Sequence, residues 1–458
     1  MTGRGLSPPW LVLSWAAGWL AVVTAGILLR PHLPVDETRY LAVAWEMWRE
    51  PSFLVPLLNG ETYSHKPPLL FWLMHLGWSV FGVNDWTPRL VAPLFGLGTL
   101  ALTGALAARL WPDDARAARL APAILFGCAF FALFTTLTMF DMILAFFAVL
   151  ALLGLTIAAE GRLARGMLIC GTAIGLGVLG KGPAILLHVL PAALAAPLWA
   201  PVLARARLPS WKRWYVGLLG AVALGAAIGL AWAIPAAVAG GPAFAHELFV
   251  GQSAGRMVES FAHKRPIWWY AAWLPVLLLP WTVWPALWKR LIGKGNVARV
   301  RQDGGTRLAL IWFAAAFAAF SFISGKQLHY LLPEFPALAL IAARLSTRPD
   351  ADPAPQGVGG RGPTHRPHRQ VPRPVPLRRA LEKTHRRHRP HRRGHRGVAC
   401  RAPPGQGDFV PRQASSSRRT SAAFRRSLSQ RLGRGLGSRP ARPPSEVRFP
   451  GLIRPLPA

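Results

Sequence analysis

The stretch DMILAFFAVLALLGLTIAA at residues 141–159 places one aspartate before 18 residues that carry no charge. About 20 apolar residues are enough for an α-helix to cross the hydrocarbon core of a bilayer. Runs of comparable length lie at about 10–29, 90–109, 120–137, 167–180, 183–203, 215–238, 267–288, 307–324 and 329–344. The sequence therefore predicts an all-α polytopic membrane protein with about ten transmembrane helices.

The composition agrees with this fold class. The chain has 458 residues, of which 52% are hydrophobic and 20 are tryptophan. The first apolar run is too long for a signal peptide and lacks a small-residue cleavage site, so we expect a retained helix. Cys128 and Cys170 lie inside apolar runs and Cys400 in a polar segment, which argues against a disulfide framework.

The formal net charge of +34 is unevenly distributed. Residues 346–458 hold 26 of the 53 Lys and Arg residues and 5 of the 19 acidic residues, a net charge of +21. We therefore divide the chain into a membrane domain, 1–345, and a basic tail, 346–458, and exclude nucleic-acid binding for the whole chain. The Arg-, Pro-, Gly- and His-rich tail has two interpretations: a disordered segment held to anionic lipids, and the product of a frameshift in a GC-rich gene.

The basic residues of the membrane domain predict its orientation. Arg4 precedes the first apolar run, and basic clusters follow the second, fourth, sixth and eighth runs. Because Lys and Arg are enriched in cytoplasmic loops, this pattern places the N-terminus inside the cell. The opposite side of the membrane then receives residues 30–89, 137–141, 181, 239–266 and 324–330.

Residues 30–89 form an outer loop in which we predict two interfacial helices. Leu41, Trp45 and Trp48 have the i, i+4, i+7 spacing of one helix face, which predicts a helix over residues 36–48. A second helix is predicted over residues 66–81, with a proline in its first turn.

Both helices begin with candidate functional residues. Asp36, Arg39 and Tyr40 share one helix face, where a carboxylate beside a cation can act as a general base. Taken alone, Asp36 is better suited to cap the helix, and a capping carboxylate can still act as a base. Lys66 and the free N–H groups of its helix form a candidate phosphate site, unless the lysine extends to lipid headgroups. His65 is a candidate metal ligand or pH-sensitive hydrogen-bonding group.

Three further outer segments carry charge. Asp141 begins a membrane helix, so it is a functional candidate with helix capping as the alternative. Lys181 lies in a tight turn between glycines, and Lys326 and Tyr330 begin the last helix. A headgroup-facing or solvated position is the alternative for each lysine. The loop 239–266 holds more charge than a connector needs, namely His246, Glu247, Arg256, His263, Lys264 and Arg265.

Together these segments resemble the bacterial aminoarabinose transferase and protein O-mannosyltransferase superfamily, the C-type membrane glycosyltransferases. The resemblance covers about residues 8–345 in the order of the family, and the motif pair of the first outer loop is highly specific. The motifs that carry it are Asp36-Glu37-Thr38-Arg39-Tyr40, Asn59-Gly60, His65-Lys66-Pro67-Pro68-Leu69, Phe81-Gly82-Val83-Asn84, Asp141-Met142, Gly180-Lys181-Gly182-Pro183, His263-Lys264-Arg265-Pro266 and Lys326 to Tyr330 with Leu331-Leu332-Pro333.

The resemblance implies a multi-pass enzyme of the bacterial inner membrane whose active site faces the periplasm or the cell exterior. It would transfer a sugar from a polyprenyl-phosphate donor to an envelope acceptor such as lipid A. Asp36 would activate the acceptor, with Glu37 and Asp141 as further catalytic acids. The donor would be bound by Arg39, Tyr40, Lys66, Lys181, Arg265, Lys326 and Tyr330.

This chain departs from the family pattern in two places. Aminoarabinose transferases typically carry Glu where this chain has His65, and they bind a metal nearby with a histidine from a later loop. His65 with His263 or His246 is therefore a candidate pair of ligands for a divalent metal. The family also usually continues with more spanning helices, which favours the frameshift interpretation of residues 346–458.

Three alternatives stay open at this point. In the first, the sugar acceptor is a protein Ser or Thr, or a polysaccharide. In the second, the chain is a transporter or flippase. In the third, it is a basic scaffold that acts through its tail, or an inactive truncated product. Transporters place charge at mid-membrane, on broken helices of paired repeats. Here the charges cluster at one membrane face, which favours the enzyme.

Overall fold

The computed structural model of this chain describes residues 9–255, 264–291 and 300–347. Statements about structure concern this part of the chain. The predicted tail lies outside the described residues except for its first two positions, which end the last helix, so both interpretations of the tail stay predictions.

The described residues are mostly helical. The α-helices are α1 (Pro9–Leu28), α2 (Asp36–Arg49), α3 (Leu69–Phe81), α4 (Trp86–Leu110), α5 (Ala115–Phe126), α6 (Ala129–Thr135), α7 (Asp141–Ala159), α8 (Leu163–Lys181), α9 (Ile185–Leu194), α10 (Ala196–Trp199), α11 (Trp211–His246, kinked at Gly241), α12 (Trp269–Leu277), α13 (Pro285–Leu291), α14 (Gly304–Phe322) and α15 (Phe335–Thr347). Other helical turns are the 3₁₀ segments Gly182–Ala184, Ala200–Val202, Trp281–Val283 and Leu328–Glu334 and the π-helical Glu247–Gly255. Strands β1 (Leu57–Leu58) and β2 (Glu61–Thr62) form an antiparallel hairpin.

Six helical segments in the described part of the chain are long and apolar enough to cross a membrane, and the bent pair α5–α6 makes a seventh if it is one span. The six segments are Trp86–Leu110, Asp141–Ala159, Leu163–Leu194, Trp211–Gly251, Gly304–Phe322 and Leu328–Thr347. A helical chain with several membrane spans is thus confirmed. The count of ten crossings stays a prediction.

Some predicted runs differ from the observed helices. The run at 267–288 is divided into α12, a 3₁₀ turn and α13, because Pro280 cannot continue a helix and Pro285 occupies the first position of the next. The run at 120–137 is bent by 71° between α5 and α6. The runs at 167–180 and 183–203 overlap a single candidate span of 32 residues.

Helix α7 lies at the centre of the bundle and is buried on nearly all sides. It packs against α4, α8 and α9. Gly154 permits the close approach of α8, since a Cβ atom at this position would lie 2.7 Å from the carbonyl oxygen of Gly166. Small residues at such contacts are typical of packed membrane helices. The central position of α7 fixes its two ends, which carry Asp141 and Glu160.

Both helices predicted in the first outer loop are present. Helix α2 agrees with its prediction and exposes Trp45 while burying Met47. Helix α3 begins at Leu69, three residues after the predicted start at Lys66. Two consecutive prolines account for the shift, because proline lacks an N–H and disfavours helical conformation in the residue before it.

A buried hydrogen bond between two side chains joins α9 to the 3₁₀ turn Leu328–Glu334. His188 Nδ1 bonds to Glu334 Oε1, and neither side chain has any exposed surface. The Phe320 ring lies against the imidazole, with 5.3 Å between ring centres. His188 Nε2 and Glu334 Oε2 have no hydrogen-bond partner among the described residues. The pair therefore fixes the 3₁₀ turn to α9, and it does so in apolar surroundings.

Candidate active site

Asp141 and Lys181 form a buried ion pair at one end of the bundle. Asp141 begins α7 and Lys181 ends α8, which packs on α7 after a short turn, so the two ends meet. Lys181 Nζ lies 2.5 Å from Asp141 Oδ1, and the side chains are 12% and 2% exposed. Lys181 Nζ also lies 4.9 Å from the centre of the Tyr330 ring. The Asp141 carboxylate thus binds a lysine at the end of the bundle where α7 begins and α8 ends.

Asp36 and Arg39 form a second and more exposed ion pair on α2. Arg39 Nη2 lies 2.8 Å from Asp36 Oδ1, and the two side chains are 36% and 35% exposed. Val35 occupies the N-cap position of α2 and Asp36 is the first helical residue. The capping interpretation of Asp36 is therefore not realised, and its carboxylate remains accessible beside a cation.

Tyr40 lies on the buried side of α2, next to this pair. Its ring packs edge-on against Phe140, with 4.9 Å between ring centres, and Phe140 directly precedes Asp141. Burial and then the negative charge of Asp36 raise the pKa of the Tyr40 hydroxyl. The hydroxyl therefore stays protonated at neutral pH and can donate a hydrogen bond.

Glu37 is fully buried and bound from three sides. Arg30 bonds to both carboxylate oxygens, the Leu33 N–H donates at 2.7 Å and the Thr138 N–H donates at 2.6 Å. Burial raises the pKa of Glu37, but the Arg30 guanidinium and the two N–H donors outweigh burial and lower it. These donors occupy the carboxylate of Glu37. The residue is therefore better suited to position the neighbouring Asp36 than to act as the catalytic acid that was predicted.

Lys66 and His329 extend the site around Asp141. Lys66, Lys181 and His329 all interact electrostatically with Asp141, and His329 also interacts with Asp36. These residues come from the first outer loop, from α7 and α8, and from the 3₁₀ turn before α15. The structure thus brings together side chains that are almost 300 positions apart in the sequence.

Lys326 and Arg265 are joined through the backbone. Lys326 Nζ donates to the carbonyl oxygens of Arg265 at 3.0 Å and Ile323 at 2.5 Å. Lys326 is 3% exposed, and burial lowers its pKa. The predicted substrate contact of Lys326 therefore competes with two carbonyl bonds, whereas the Arg265 side chain is exposed.

The predicted metal ligands do not form a centre in the described residues. His65 is exposed, with its ring 5.2 Å from that of Tyr63. In the described ranges, no group of three or more His, Cys, Asp or Glu side chains is placed to hold a metal ion. His263 lies outside the described residues, so its pairing with His65 stays a prediction.

Two residues of the site were not predicted from the sequence. Arg30 holds Glu37, and His329 interacts with Asp141. The signal for Arg30 is a basic residue directly after the first apolar run. The signal for His329 is its position before Tyr330 in a charged outer segment.

The sequence of this chain is similar to those of known proteins. The family described as dolichyl-phosphate-mannose-protein mannosyltransferase matches residues 65–232. The undecaprenyl phosphate-alpha-4-amino-4-deoxy-L-arabinose arabinosyl transferase of Enterobacter sp. (strain 638) is 30% identical over 337 residues, 71% of this chain and 57% of that protein. The chain is related to these glycosyltransferases. A further arabinosyl transferase of this kind, from Sodalis glossinidius, is 29% identical over 349 residues, 74% of this chain and 59% of that protein.

The fold of the present chain is similar to that of a solved structure. ArnT from Cupriavidus metallidurans, bound to undecaprenyl phosphate, superposes with a TM-score of 0.63 at 24% sequence identity, covering 75% of this chain and 61% of that chain. The apo state of the same protein gives a TM-score of 0.61. At this identity the likeness concerns the fold alone. The chain spans somewhat less than two thirds of the length of these relatives.

Proposed function

We propose that the chain is a membrane glycosyltransferase, which transfers a sugar from a polyprenyl-phosphate donor to an envelope glycolipid such as lipid A. The observation that carries this proposal is the excess of positive charge at one end of the bundle. Arg39, Lys66 and Lys181 face two acids, Asp36 and Asp141, while Glu37 has its own arginine. Such a site attracts the phosphate of a lipid-linked sugar.

The accessible carboxylate of Asp36 is suited to remove the proton from the acceptor hydroxyl. A glycosyl phosphate already carries a good leaving group, so the reaction mainly requires a base, cations for the departing phosphate, and positioning. Lys66 and Lys181 would stabilise the negative charge that develops on the phosphate. Asp141 would hold Lys181 in place, and the protonated Tyr40 hydroxyl would donate a hydrogen bond to the donor.

The names of the relatives support the donor class. The arabinosyl transferases are named for an undecaprenyl phosphate-linked aminoarabinose, and the solved ArnT is bound to undecaprenyl phosphate. The lipid tail of such a donor would lie between or beside the membrane helices, with its phosphate at the cations. We leave the sugar as a class, because His65 stands where aminoarabinose transferases typically have Glu.

We further propose ten crossings, with the site facing the periplasm. The distribution of basic residues supports this orientation, since Arg109, Arg162 and Arg165 lie at helix ends away from Asp141. The active site would then act on lipid-linked substrates exposed at the outer face of the inner membrane.

Replacing Asp36 with Asn tests the catalytic proposal. Cells that produce the full chain are compared by mass spectrometry of lipid A and of other envelope glycans. Loss of a general base reduces rates by about 10²–10⁴-fold, so we expect the added sugar to disappear. Glu61→Gln is the matched control, because this exposed hairpin residue loses the same charge outside the site. A sugar that persists in the Asp36→Asn strain contradicts the mechanism.

Transfer to protein is the second candidate, because the matching family is described as a protein mannosyltransferase. The same strains provide the test. If the sugar that depends on Asp36 occurs on Ser or Thr of envelope proteins and lipid A is unchanged, the acceptor is a protein.

A further inference from the structure

The end of the bundle away from the candidate site contains an arginine-lined cleft of about 900 Å³. Helix α7 has 19 residues and runs between the two regions, so it separates them by roughly 28 Å. This distance is close to the thickness of a hydrocarbon core, about 30 Å. The cleft therefore lies at the other membrane surface. Its lining includes Ala105, Ala108, Arg109, Glu160, Arg162 and residues 204–207.

Four arginines from three segments meet at this cleft. Arg109 lies near the end of α4, Arg162 in the turn before α8, and Arg205 and Arg207 after the 3₁₀ turn Ala200–Val202. Arg109 Nη1 is paired with Glu160 at 2.6 Å. The ion pairs found in the described residues include none for the other three arginines, which are exposed. The cleft thus carries a net charge of about +3.

The segments that line the cleft contact each other directly, so the shape of the cleft is fixed by the fold. The Arg207 N–H donates to the Ala159 carbonyl oxygen at 2.8 Å, which joins the loop to the end of α7. Gly161 has φ 91°, and a Cβ atom there would lie 3.1 Å from Arg207 Cβ. A glycine in this left-handed conformation lets the turn and the loop approach each other closely.

The cleft also has an apolar side, on a helix that is long and apolar enough to span a membrane. Ala105 and Ala108 are exposed on the membrane-spanning helix α4, and Ala101 one turn earlier is exposed as well. Ala105 and Ala108 line the cleft, and Ala101 continues this row of exposed small apolar side chains along α4. A free phosphate ion gains nothing from contact with an apolar row of side chains, whereas the acyl chain of a lipid does.

We propose that this cleft binds an anionic membrane lipid, with the lipid phosphate held by Arg162, Arg205 and Arg207 and an acyl chain along α4. A guanidinium group can donate two parallel hydrogen bonds to the oxygens of one phosphate. Basic pockets between membrane helices bind acidic lipid headgroups. The site is separate from the donor phosphate site at Asp141 and Lys181. Its test therefore requires no transferase activity.

The experiment is native mass spectrometry of the purified full chain in a neutral detergent, titrated with phosphatidylglycerol and with phosphatidylcholine. The triple variant Arg162→Gln, Arg205→Gln, Arg207→Gln removes three charges from the cleft. The control variant Arg116→Gln, Lys212→Gln, Arg213→Gln removes three charges from exposed positions that do not line it. Each arginine near an acidic lipid contributes about fivefold in affinity, so the cleft variant should lose on the order of 100-fold for phosphatidylglycerol. The control should lose less than about fivefold.

A variant that binds the lipid more tightly provides a test that misfolding cannot mimic, because a misfolded chain would lose binding. Glu160→Gln frees Arg109 for the lipid, so we expect phosphatidylglycerol to bind about fivefold more tightly. Equal losses in the two triple variants would show a diffuse surface charge and overturn the proposal. Displacement of phosphatidylglycerol by an equal concentration of inorganic phosphate would also overturn it, because the ligand would then be a free phosphate. Equal affinity for phosphatidylcholine would exclude the requirement for an anionic lipid.

Discussion

The His188–Glu334 pair offers a direct test of how the bundle holds the candidate site. Glu334 ends the 3₁₀ turn whose preceding residues contact Lys181 and interact with Asp141. Replacing either member of the pair with Leu leaves the other polar group in apolar surroundings, since both side chains are 0% exposed. Breaking a buried pair in this way costs about 3–5 kcal/mol, so we expect each single variant to lose that much free energy of unfolding.

The double variant His188→Leu, Glu334→Leu should recover most of this loss. Two leucines pack against each other and against Phe320 and leave no polar group unsatisfied, so the double variant should lie within about 1–2 kcal/mol of the unchanged protein. The coupling energy of the cycle is then at least about 4 kcal/mol.

The assay is unfolding of the purified chain in mixed micelles by increasing SDS, followed by tryptophan fluorescence and circular dichroism. Leu219→Ala on the exposed side of α11 is the control and should change the unfolding free energy by less than about 0.5 kcal/mol. If the losses of the two single variants simply add in the double variant, the pair is not coupled. The reasoning from burial would then be wrong.

Two further predictions concern the site itself. Lys181→Met should destabilise the fold by about 3 kcal/mol, because Asp141 is left buried without its cation; adding Asp141→Asn should restore the unfolding free energy but not the transfer measured by mass spectrometry. Recovery of transfer in that double variant would remove Lys181 from the mechanism. Glu37 has a pKa below the ordinary value of 4.5 in the folded protein, so it stabilises the fold above about pH 4.5 and loses this contribution as the pH falls through its folded pKa. We expect Glu37→Gln to lower the midpoint of thermal unfolding at pH 7 and to flatten its decline below pH 4.5; an unchanged acid decline contradicts the assignment.

The parts of the fold that follow from local sequence were predicted well. The apolar run at 141–159 coincides with α7, and the spacing of Leu41, Trp45 and Trp48 agrees with α2. The contact between Asp141 and Lys181 confirms that both lie at the same end of their helices, whereas the membrane face at which that end lies stays a prediction. These features depend on composition and periodicity, which a single sequence contains.

Features that depend on distant backbone groups were not predicted. The role of Glu37 is set by the Thr138 N–H, and a backbone donor leaves no side-chain signature in the sequence. The start of α3 at Leu69 has a local cause instead, because two consecutive prolines disfavour helical conformation in the residue before each of them. The bend between α5 and α6 lies within a run that is apolar throughout, so hydropathy gives no sign of it.

The bonds of Glu37 also set an order of assembly for the chain during synthesis. The side chain of Glu37 needs the N–H of a residue that lies 101 positions later. Helices α4, α5 and α6 must therefore enter the membrane before the first outer loop can take its final form. Until then Arg30 and the Leu33 N–H are the partners available to this carboxylate within the part of the chain already made. The catalytic face proposed for α2 is thus completed only after roughly the first third of the polypeptide has been inserted.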